Sequence, residues 1–254
     1  MNTEVIFEDG AHRWLVLGRD RERREDVIDT NQYAILTSDG TLLIDPGGIE
    51  IFPRMLSELM RFVPIDDIKV LFGSHQDPDI ISSLSMWLDL CPQARFYTSW
   101  MWKSFVAHFR IGSVLEAEEI PDEGMSIPIG HDVSVEAIPA HYCHSSGNFS
   151  IWDDRAKILF SGDLGAALLP DRNAPLFVDD FDDHIKYMEA FHRRWMPANR
   201  PLRSWVRRVR ALEPAMICPQ HGSIFRGENV SRFLDWLENL DVEVGEGYDV
   251  DQQA

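Results

Sequence analysis

The feature that most limits the folds open to this chain is where its histidines and aspartates fall relative to short apolar runs. His75, Asp163 and His221 each follow directly on a run with β-strand character, and His144 lies a few residues beyond another. Strand ends that meet at one edge of a sheet are where α/β folds assemble ligand and metal sites. The sequence therefore predicts a fold in which these four side chains approach one another.

Strand and helix patterns alternate along the chain. Strands are predicted over residues 14–17, 33–36, 41–44, 70–72, 95–98, 133–139, 149–152, 157–160 and 215–218. Helices are predicted over residues 52–60, 80–90, 100–109, 183–195, 201–212 and 230–240. Because the alternation occurs in both halves, it predicts an α/β fold of two packed sheets with helices outside, an αββα sandwich.

Length and composition allow a substantial buried core. The chain has 254 residues, of which 44 % are hydrophobic, and no segment has the composition of a linker. We therefore expect one domain over residues 1–254, with an acidic end from about residue 241 that is loosely held.

Charge and hydropathy bear on the kinds of partner. The formal net charge is −18, which argues against nucleic acid, because a polyanion is bound by a basic surface. No apolar stretch is long enough to span a bilayer, and residues 1–24 lack the apolar segment of a signal peptide. These observations predict a cytoplasmic protein with no membrane partner.

The run from His75 to Asp79 is the most informative segment for chemistry. His75, Asp77 and Asp79 alternate over five residues, so that in an extended loop their side chains point the same way. Pro78 stiffens the turn between the two carboxylates. One histidine and two carboxylates cannot complete the shells of two metal ions, so a centre of that kind needs ligands from elsewhere.

Further candidate ligands stand at suitable places. His144 lies in a Ser- and Gly-rich loop, Asp163 follows Ser161-Gly162, and His221 precedes Gly222. Taken singly, a loop histidine is usually a surface residue and an Asp after Ser-Gly a turn former. Their occurrence together with the His-x-Asp-x-Asp run favours a metal site. His141 is a rival to His144 for the ligand from this loop.

The order of five motifs resembles that of the metallo-β-lactamase superfamily. The motifs are Leu43-Ile44-Asp45-Pro46-Gly47, His75-x-Asp77-x-Asp79, His144-Ser145-Ser146-Gly147-Asn148, Leu159-Phe160-Ser161-Gly162-Asp163 and Pro219-Gln220-His221-Gly222. Within the superfamily, the chain is similar to the diiron domain of flavodiiron proteins and to stand-alone oxygen-binding diiron proteins. The similarity extends from about residue 14 to residue 225.

The resemblance implies a role for each candidate ligand. One metal ion would be bound by His75, Asp77 and His144, the second by Asp79 and His221, and Asp163 would bridge the two. It also implies His144 rather than His141, because His144 precedes the Ser-x-Gly-Asn run as the ligand of the family does.

The ligand types favour iron over zinc. Hydrolases of the superfamily typically carry His-x-His-x-Asp-His, whereas this chain has Asp77 and Ile80 in place of the second and last histidines. Shells rich in carboxylate suit oxygen-activating iron, and imidazole-rich shells suit hydrolytic zinc. We therefore expect two iron ions, with zinc or manganese as alternatives. Ile80 would leave the second ion an open position for dioxygen or nitric oxide.

Three functions are compatible with such a centre. The first is an oxygen-binding or oxygen-sensing protein that reports to a signalling partner. The second is a reductase of NO, O₂ or peroxide; it would need a separate electron donor, because the chain has no room for the flavodoxin-like domain of flavodiiron enzymes, and so no flavin is expected. The third is a metal-dependent hydrolase. The sequence leaves open whether the protein is an enzyme.

Other aromatic and imidazole groups are weaker candidates. Tyr187, His184 and Tyr142 are candidates for orienting the ligands or for contacting the bound gas. Tryptophans on the predicted helices are compatible with core packing or with a homodimer interface, and the sequence does not decide between them.

Overall fold

The computed structural model describes residues 1–22, 24, 26–109, 116–171 and 173–242. Within these ranges the chain forms two β-sheets, one of seven strands and one of six. The acidic end that we expect to be loosely held lies outside the described residues from residue 243 onward.

The first sheet is formed mainly by the first half of the chain. Its strands, in spatial order, are β1 (Asn2–Asp9), β2 (His12–Gly18), β3 (Gln32–Leu36), β4 (Thr41–Ile44), β5 (Ile68–Gly73), β6 (Arg95–Ser99) and β7 (Ala117–Ile120). Strands β1 to β4 pair antiparallel, and β4 to β7 pair parallel.

The second sheet is formed by later strands. They are β8 (Met125–Pro128), β9 (Ser134–Pro139), β10 (Phe149–Asp153), β11 (Ile158–Gly162), β12 (Met216–Pro219) and β13 (Phe225–Arg226). Their spatial order is β13-β12-β11-β10-β9-β8, in which only the β11–β12 pair is parallel.

Helices cover the outer face of each sheet. The first sheet is covered by α1 (Phe52–Leu59), α2 (Pro78–Ile81), α3 (Leu84–Leu90) and α4 (Lys103–Val106). The second is covered by α5 (Phe181–Trp195), α6 (Asn199–Leu212) and α7 (Glu228–Asn239). Single 3₁₀ turns occur at Ile65–Asp67 and Ala107–Phe109.

The core is layered because strand side chains alternate between two apolar environments. On β3, Tyr33 and Ile35 pack between the two sheets, whereas Ala34 and Leu36 pack outward against the helices of the first sheet. A third cluster fills the space between the second sheet and its helices, with Trp205 fully buried at its centre. The predicted αββα sandwich is therefore confirmed.

The strands that the sequence analysis missed lie at or next to the edges of the sheets. β1 and β7 are the outer strands of the first sheet, and β8 is an outer strand of the second. Edge strands commonly carry charged residues that discourage further pairing. The sequence Ala117-Glu118-Glu119-Ile120 illustrates why β7 lacks the apolar run of an interior strand.

Two predicted helices differ in the structure. The helix predicted over residues 80–90 is divided into α2 and α3, because the Ser83 backbone N–H donates to the Gly47 carbonyl instead of continuing the helix. The helix predicted over residues 100–109 begins only at Lys103. The Trp100 N–H donates to the Ile120 carbonyl, which extends the pairing of β6 with β7.

The two sheets are tied together at the edge where the strands end. Asn31, just before β3, donates its backbone N–H to the Gln220 carbonyl at 2.6 Å and its side-chain amide to the Pro219 and Gly222 carbonyls. The Tyr33 hydroxyl donates to the Pro219 carbonyl at 2.8 Å. The loop that carries His221 is therefore fixed against the first sheet.

No helix in the described ranges is both long and apolar enough to cross a membrane. The assignment of residues 1–254 to one domain stays a prediction.

Candidate metal centre

The six predicted ligands come together at the strand-end edge of the sandwich. His75 follows β5, Asp163 follows β11 and His221 follows β12. Asp77 immediately precedes α2, and Asp79 lies in its first turn. His144 belongs to the loop between β9 and β10.

The loop of His144 has a conformation that its sequence explains. His144 adopts a left-handed backbone, with φ of 81°, and the Asn148 side-chain amide fixes the loop by donating to the Cys143 carbonyl at 2.9 Å. A Cβ on Gly147 would lie 2.7 Å from the Trp102 Nε1 atom, so a larger residue there would displace Trp102. Ser145 donates to the Gln76 side chain at 2.9 Å, which joins this loop to the His75–Asp79 segment.

One half of the site is formed by two histidines and two carboxylates. The His75 Nε2 atom lies 3.5 Å from Asp77 Oδ2 and 3.6 Å from Asp163 Oδ2. The His144 Nε2 atom lies 3.6 Å from Asp77 Oδ2 and 3.3 Å from Asp163 Oδ2. Ligand atoms of these four residues all lie within 4.8 Å of one another.

The other half is formed around His221. Its Nε2 atom lies 3.4 Å from Asp79 Oδ2 and 3.4 Å from Asp163 Oδ1. Asp163 therefore directs one carboxylate oxygen to each half of the site, which is the geometry required of a bridging ligand.

These distances fit metal coordination better than direct hydrogen bonding. Two ligand atoms about 2.0–2.2 Å from one ion, at angles of about 90–110°, lie roughly 2.8–3.6 Å apart. A charge-assisted hydrogen bond is shorter, at about 2.7–2.9 Å. Consistent with this, His75 Nε2 and Asp163 Oδ1 are buried and have no hydrogen-bond partner among the described residues.

The imidazole rings of His75 and His221 are oriented by hydrogen bonds at Nδ1. His221 Nδ1 lies 2.8 Å from the Asp29 carbonyl, to which it donates. His75 Nδ1 lies 2.9 Å from the Ser74 hydroxyl, which itself donates to Asp45 at 2.9 Å and so accepts from the ring. In both rings Nε2 is therefore the nitrogen that can bind a metal ion once its proton is released.

The charges of the site are strongly coupled. Burial alone would lower the pKa of His75, but Asp163 and Asp77 outweigh it and raise that pKa to about 9. A similar balance, with Asp163 and Asp79, raises the pKa of His221 to about 9. Burial opposes ionisation of Asp163, yet the three neighbouring histidines hold its pKa well below the usual value. A bound cation would replace the histidine protons, so metal affinity should rise with pH.

Two aromatic side chains of α5 cover the site, and the sequence analysis assigned neither to it. The Trp195 ring is stacked on His144, with centroids 5.2 Å apart, although 54 % of Trp195 is exposed. The Phe191 ring lies 6.0 Å from the ring of His144 and 6.4 Å from that of His221. Their spacing of four residues places Phe191 and Trp195 on the same face of a helix. Nothing in the sequence relates that face to the candidate centre.

His141, the rival ligand, lies elsewhere. Its Nε2 atom is 2.8 Å from the Asp122 carbonyl, and its ring packs edge-on against Phe149. The structure thus brings His144 into the ligand group rather than His141.

The three weaker candidates have other surroundings in the part of the chain that the structure describes. His184 packs its ring against Tyr187 and Phe225. Burial, followed by the charge of Arg19, lowers the pKa of His184 to about 4, so the ring is neutral at pH 7. Tyr142 is 55 % exposed and has a left-handed backbone. Their suggested roles stay predictions.

Comparison with known proteins adds to this geometry. A family model described as "ODP family beta lactamase" matches residues 28–222. The apo state of the chemotaxis sensor ODP from T. denticola has 39 % sequence identity and a TM-score of 0.84, over 100 % of this chain and 99 % of that chain. A structure described as the peroxy diiron species of chemotaxis sensor ODP has 36 % identity and a TM-score of 0.84, over 100 % of both chains.

More distant similarity extends to flavoproteins. The type A flavoprotein FprA of Rhodobacter capsulatus is 25 % identical over 77 % of this chain, which spans only 45 % of that protein's length. The rubredoxin oxygen:oxidoreductase of Desulfovibrio gigas has 17 % identity and a TM-score of 0.80, over 93 % of this chain and 61 % of that one. At this identity the second similarity shows the fold alone.

Proposed function

Because this chain belongs to the ODP family of β-lactamase-like proteins, we propose that it is a non-haem diiron protein that binds dioxygen and acts as an oxygen sensor. The first ion would be held by His75, Asp77 and His144. The second would be held by Asp79 and His221. Asp163 would bridge the two.

The observation that carries this proposal is the position of Asp163. One of its oxygens lies 3.3 Å from His144 Nε2, and the other lies 3.4 Å from His221 Nε2. A buried carboxylate shared in this way supports two ions rather than one. Three histidines and three carboxylates form a shell that suits iron, and three negative charges offset most of the charge of two divalent ions.

The second half of the site has room for a small ligand. Ile80, beside Asp79, is fully buried in the apolar cluster of the first sheet and offers no ligand atom. Among the residues that the structure describes, His221, Asp79 and the shared Asp163 are therefore the ones that approach that position. An incomplete shell on a redox metal is where dioxygen or nitric oxide would bind.

A reductase is the second candidate. The 25 % identity to the Rhodobacter flavoprotein favours it, because that protein is described as a flavoprotein. A reductase built on this chain would take electrons from a separate redox protein, whereas a sensor would communicate with a signalling protein. A homodimer stays a prediction for either function.

The proposal predicts how the protein responds to oxygen. Protein purified without oxygen should contain about two iron ions per chain, and admitting O₂ should produce a new visible absorption band that persists for minutes. Metal analysis and optical spectroscopy measure both quantities. Metal-free protein treated in the same way serves as the control and should stay colourless.

Other outcomes would redirect the assignment. Rapid bleaching, with steady O₂ or NO consumption once a reductant is present, would favour the reductase. A colourless protein that contains zinc and does not respond to O₂ would contradict the sensor and leave hydrolysis to be assayed.

A further inference from the structure

Besides Phe191 and Trp195, helix α5 carries a third ring near the candidate centre, that of His192, which bonds to the turn after Asp163. His192 is fully buried on this helix, between Phe191 and the turn that leads to Trp195. Its ring packs edge-on against Trp236, with centroids 5.1 Å apart. A buried histidine beside a metal centre raises the question of what its two nitrogens bind.

Both nitrogens of His192 have a backbone partner. Nδ1 lies 2.8 Å from the Met188 carbonyl, one helical turn earlier, and donates to it. Nε2 lies 3.0 Å from the Gly165 backbone nitrogen and accepts a hydrogen bond from its N–H group. A neutral imidazole has one donor and one acceptor, so both are used. Burial lowers the pKa of His192 to about 4, which keeps the ring in this neutral form.

Gly165 belongs to the turn that directly follows Asp163. The turn is closed by the Ala166 N–H, which donates to the Asp163 carbonyl at 3.0 Å, and by the Ser161 hydroxyl, which donates to the Leu164 carbonyl at 2.6 Å. Gly165 has φ of +95°, and a Cβ there would lie 2.8 Å from the Phe225 ring. The Gly165 N–H is buried, and its partner is the His192 ring on α5.

We propose that His192 is a positioning residue for the bridging carboxylate: by accepting the Gly165 N–H, it holds the Asp163–Gly165 turn so that each Asp163 oxygen faces one half of the site. This inference rests on the proposed two-ion function. The positioning role belongs to the Nε2 acceptor of His192 and is separate from the packing of its ring against Trp236.

Two substitutions separate the two hydrogen bonds. In His192→Gln, the side-chain oxygen reaches the place of Nε2 and can still accept from Gly165, but the donor at Nδ1 is lost. In His192→Asn, the side-chain amide takes the place of Nδ1 and can still donate to Met188, but the acceptor for Gly165 is lost. Each variant removes one hydrogen bond and keeps the other, so the two variants form a pair, although asparagine is one methylene shorter than glutamine.

The test is an anaerobic titration of ferrous iron into the metal-free wild type and both variants. His192→Asn should weaken binding of iron, the second ion above all, by about 10-fold or more, as partners of metal-binding groups commonly do. His192→Gln should bind both ions close to the wild-type affinity. Thermal unfolding of the three metal-free proteins is the second readout: both variants should lose stability, and His192→Asn should lose more because it leaves a larger buried space.

Three results would overturn the proposal. They are equal loss of iron affinity in both variants, wild-type affinity in both, or a greater loss in His192→Gln. If His192→Asn does not fold, the iron affinity of His192→Gln tests the proposal alone. Affinity close to that of the wild type supports the acceptor role, and weakened binding of the second ion contradicts it. The titration contains no oxygen, so a wild type that binds two ions but forms no oxygen adduct would refute the sensor function and leave the role of His192 intact.

Discussion

Replacing Asp163 with asparagine should reduce the iron content from about two ions per chain to fewer than about one. The loss of iron affinity should exceed the roughly 10- to 100-fold loss that follows when an outer hydrogen-bonding partner of a ligand is removed. Asparagine keeps the size of the side chain but offers only one oxygen. Asp163 is 3 % exposed, and its two oxygens lie within 3.6 Å of three histidine Nε2 atoms. One substitution therefore alters the carboxylate that faces both halves of the site.

Two further variants make this prediction specific to the bridge. Asp79→Asn alters a carboxylate that lies beside His221 in one half of the site, and should leave about one ion bound, in the half formed by His75 and His144. His141→Ala should keep the wild-type iron content, since His141 bonds to the Asp122 carbonyl instead. Iron and protein assays on anaerobic samples measure all three. Two ions retained in Asp163→Asn would refute the bridging role, and an empty site in His141→Ala would mean that the loop ligand is wrongly chosen.

The second large effect concerns stability. Asp153→Ala should lower the free energy of unfolding by about 3 kcal/mol or more, since it leaves buried polar partners unpaired. Asp153 lies at the end of β10 and is 1 % exposed. Its Oδ2 atom accepts from His12 Nε2 and from Trp14 Nε1, each at 2.6 Å, and both of these donors belong to β2 of the other sheet. Asp153 therefore connects the two sheets through two buried hydrogen bonds.

Urea unfolding of the metal-free protein measures this effect, and the adjacent residue supplies the control. Asp154 is exposed and pairs with Lys157 at 2.7 Å on the surface. Asp154→Ala should therefore cost less than about 1 kcal/mol. Similar losses in the free energy of unfolding for the two variants would contradict the stabilising role of the hydrogen bonds to Asp153.

The contribution of Asp153 should also depend on pH. Burial opposes its ionisation, but the hydrogen bonds from His12 and Trp14 prevail, so the pKa of Asp153 lies below its usual value. A carboxyl whose pKa is lowered by folding stabilises the folded state above its unfolded pKa, and this stabilisation is lost as the pH falls toward the folded pKa. The difference between wild type and Asp153→Ala should accordingly shrink below about pH 4.

The approach of the six candidate ligands to one another was predictable from sequence where they occur in motifs, and their role as metal ligands stays a prediction. The alternation of His75, Asp77 and Asp79, and the placement of Asp163 and His221 after apolar strands, are local patterns with a direct geometric meaning. The interior strands were predictable because a short continuous apolar run bounded by turn residues is typical of a strand that is buried on both faces.

The supporting residues could not be found in this way. His192 binds Gly165, 27 positions earlier, and nothing in the sequence near either residue indicates the pairing. The same holds for the Asp29 carbonyl that orients His221 from 192 positions away. Such partners follow from how α5 and the first sheet pack around the centre, and that packing depends on contacts between distant segments.

The spread of the ligands along the chain determines when the centre can form during protein synthesis. His75 extends from the first sheet and His221 from the second, and the bridging Asp163 lies between them in sequence. At roughly 5–20 residues per second, a ribosome adds His221 on the order of ten seconds after His75. A nascent chain that lacks its last strands cannot bring His221 to the other five side chains, so the complete group of candidate ligands forms only in the finished fold.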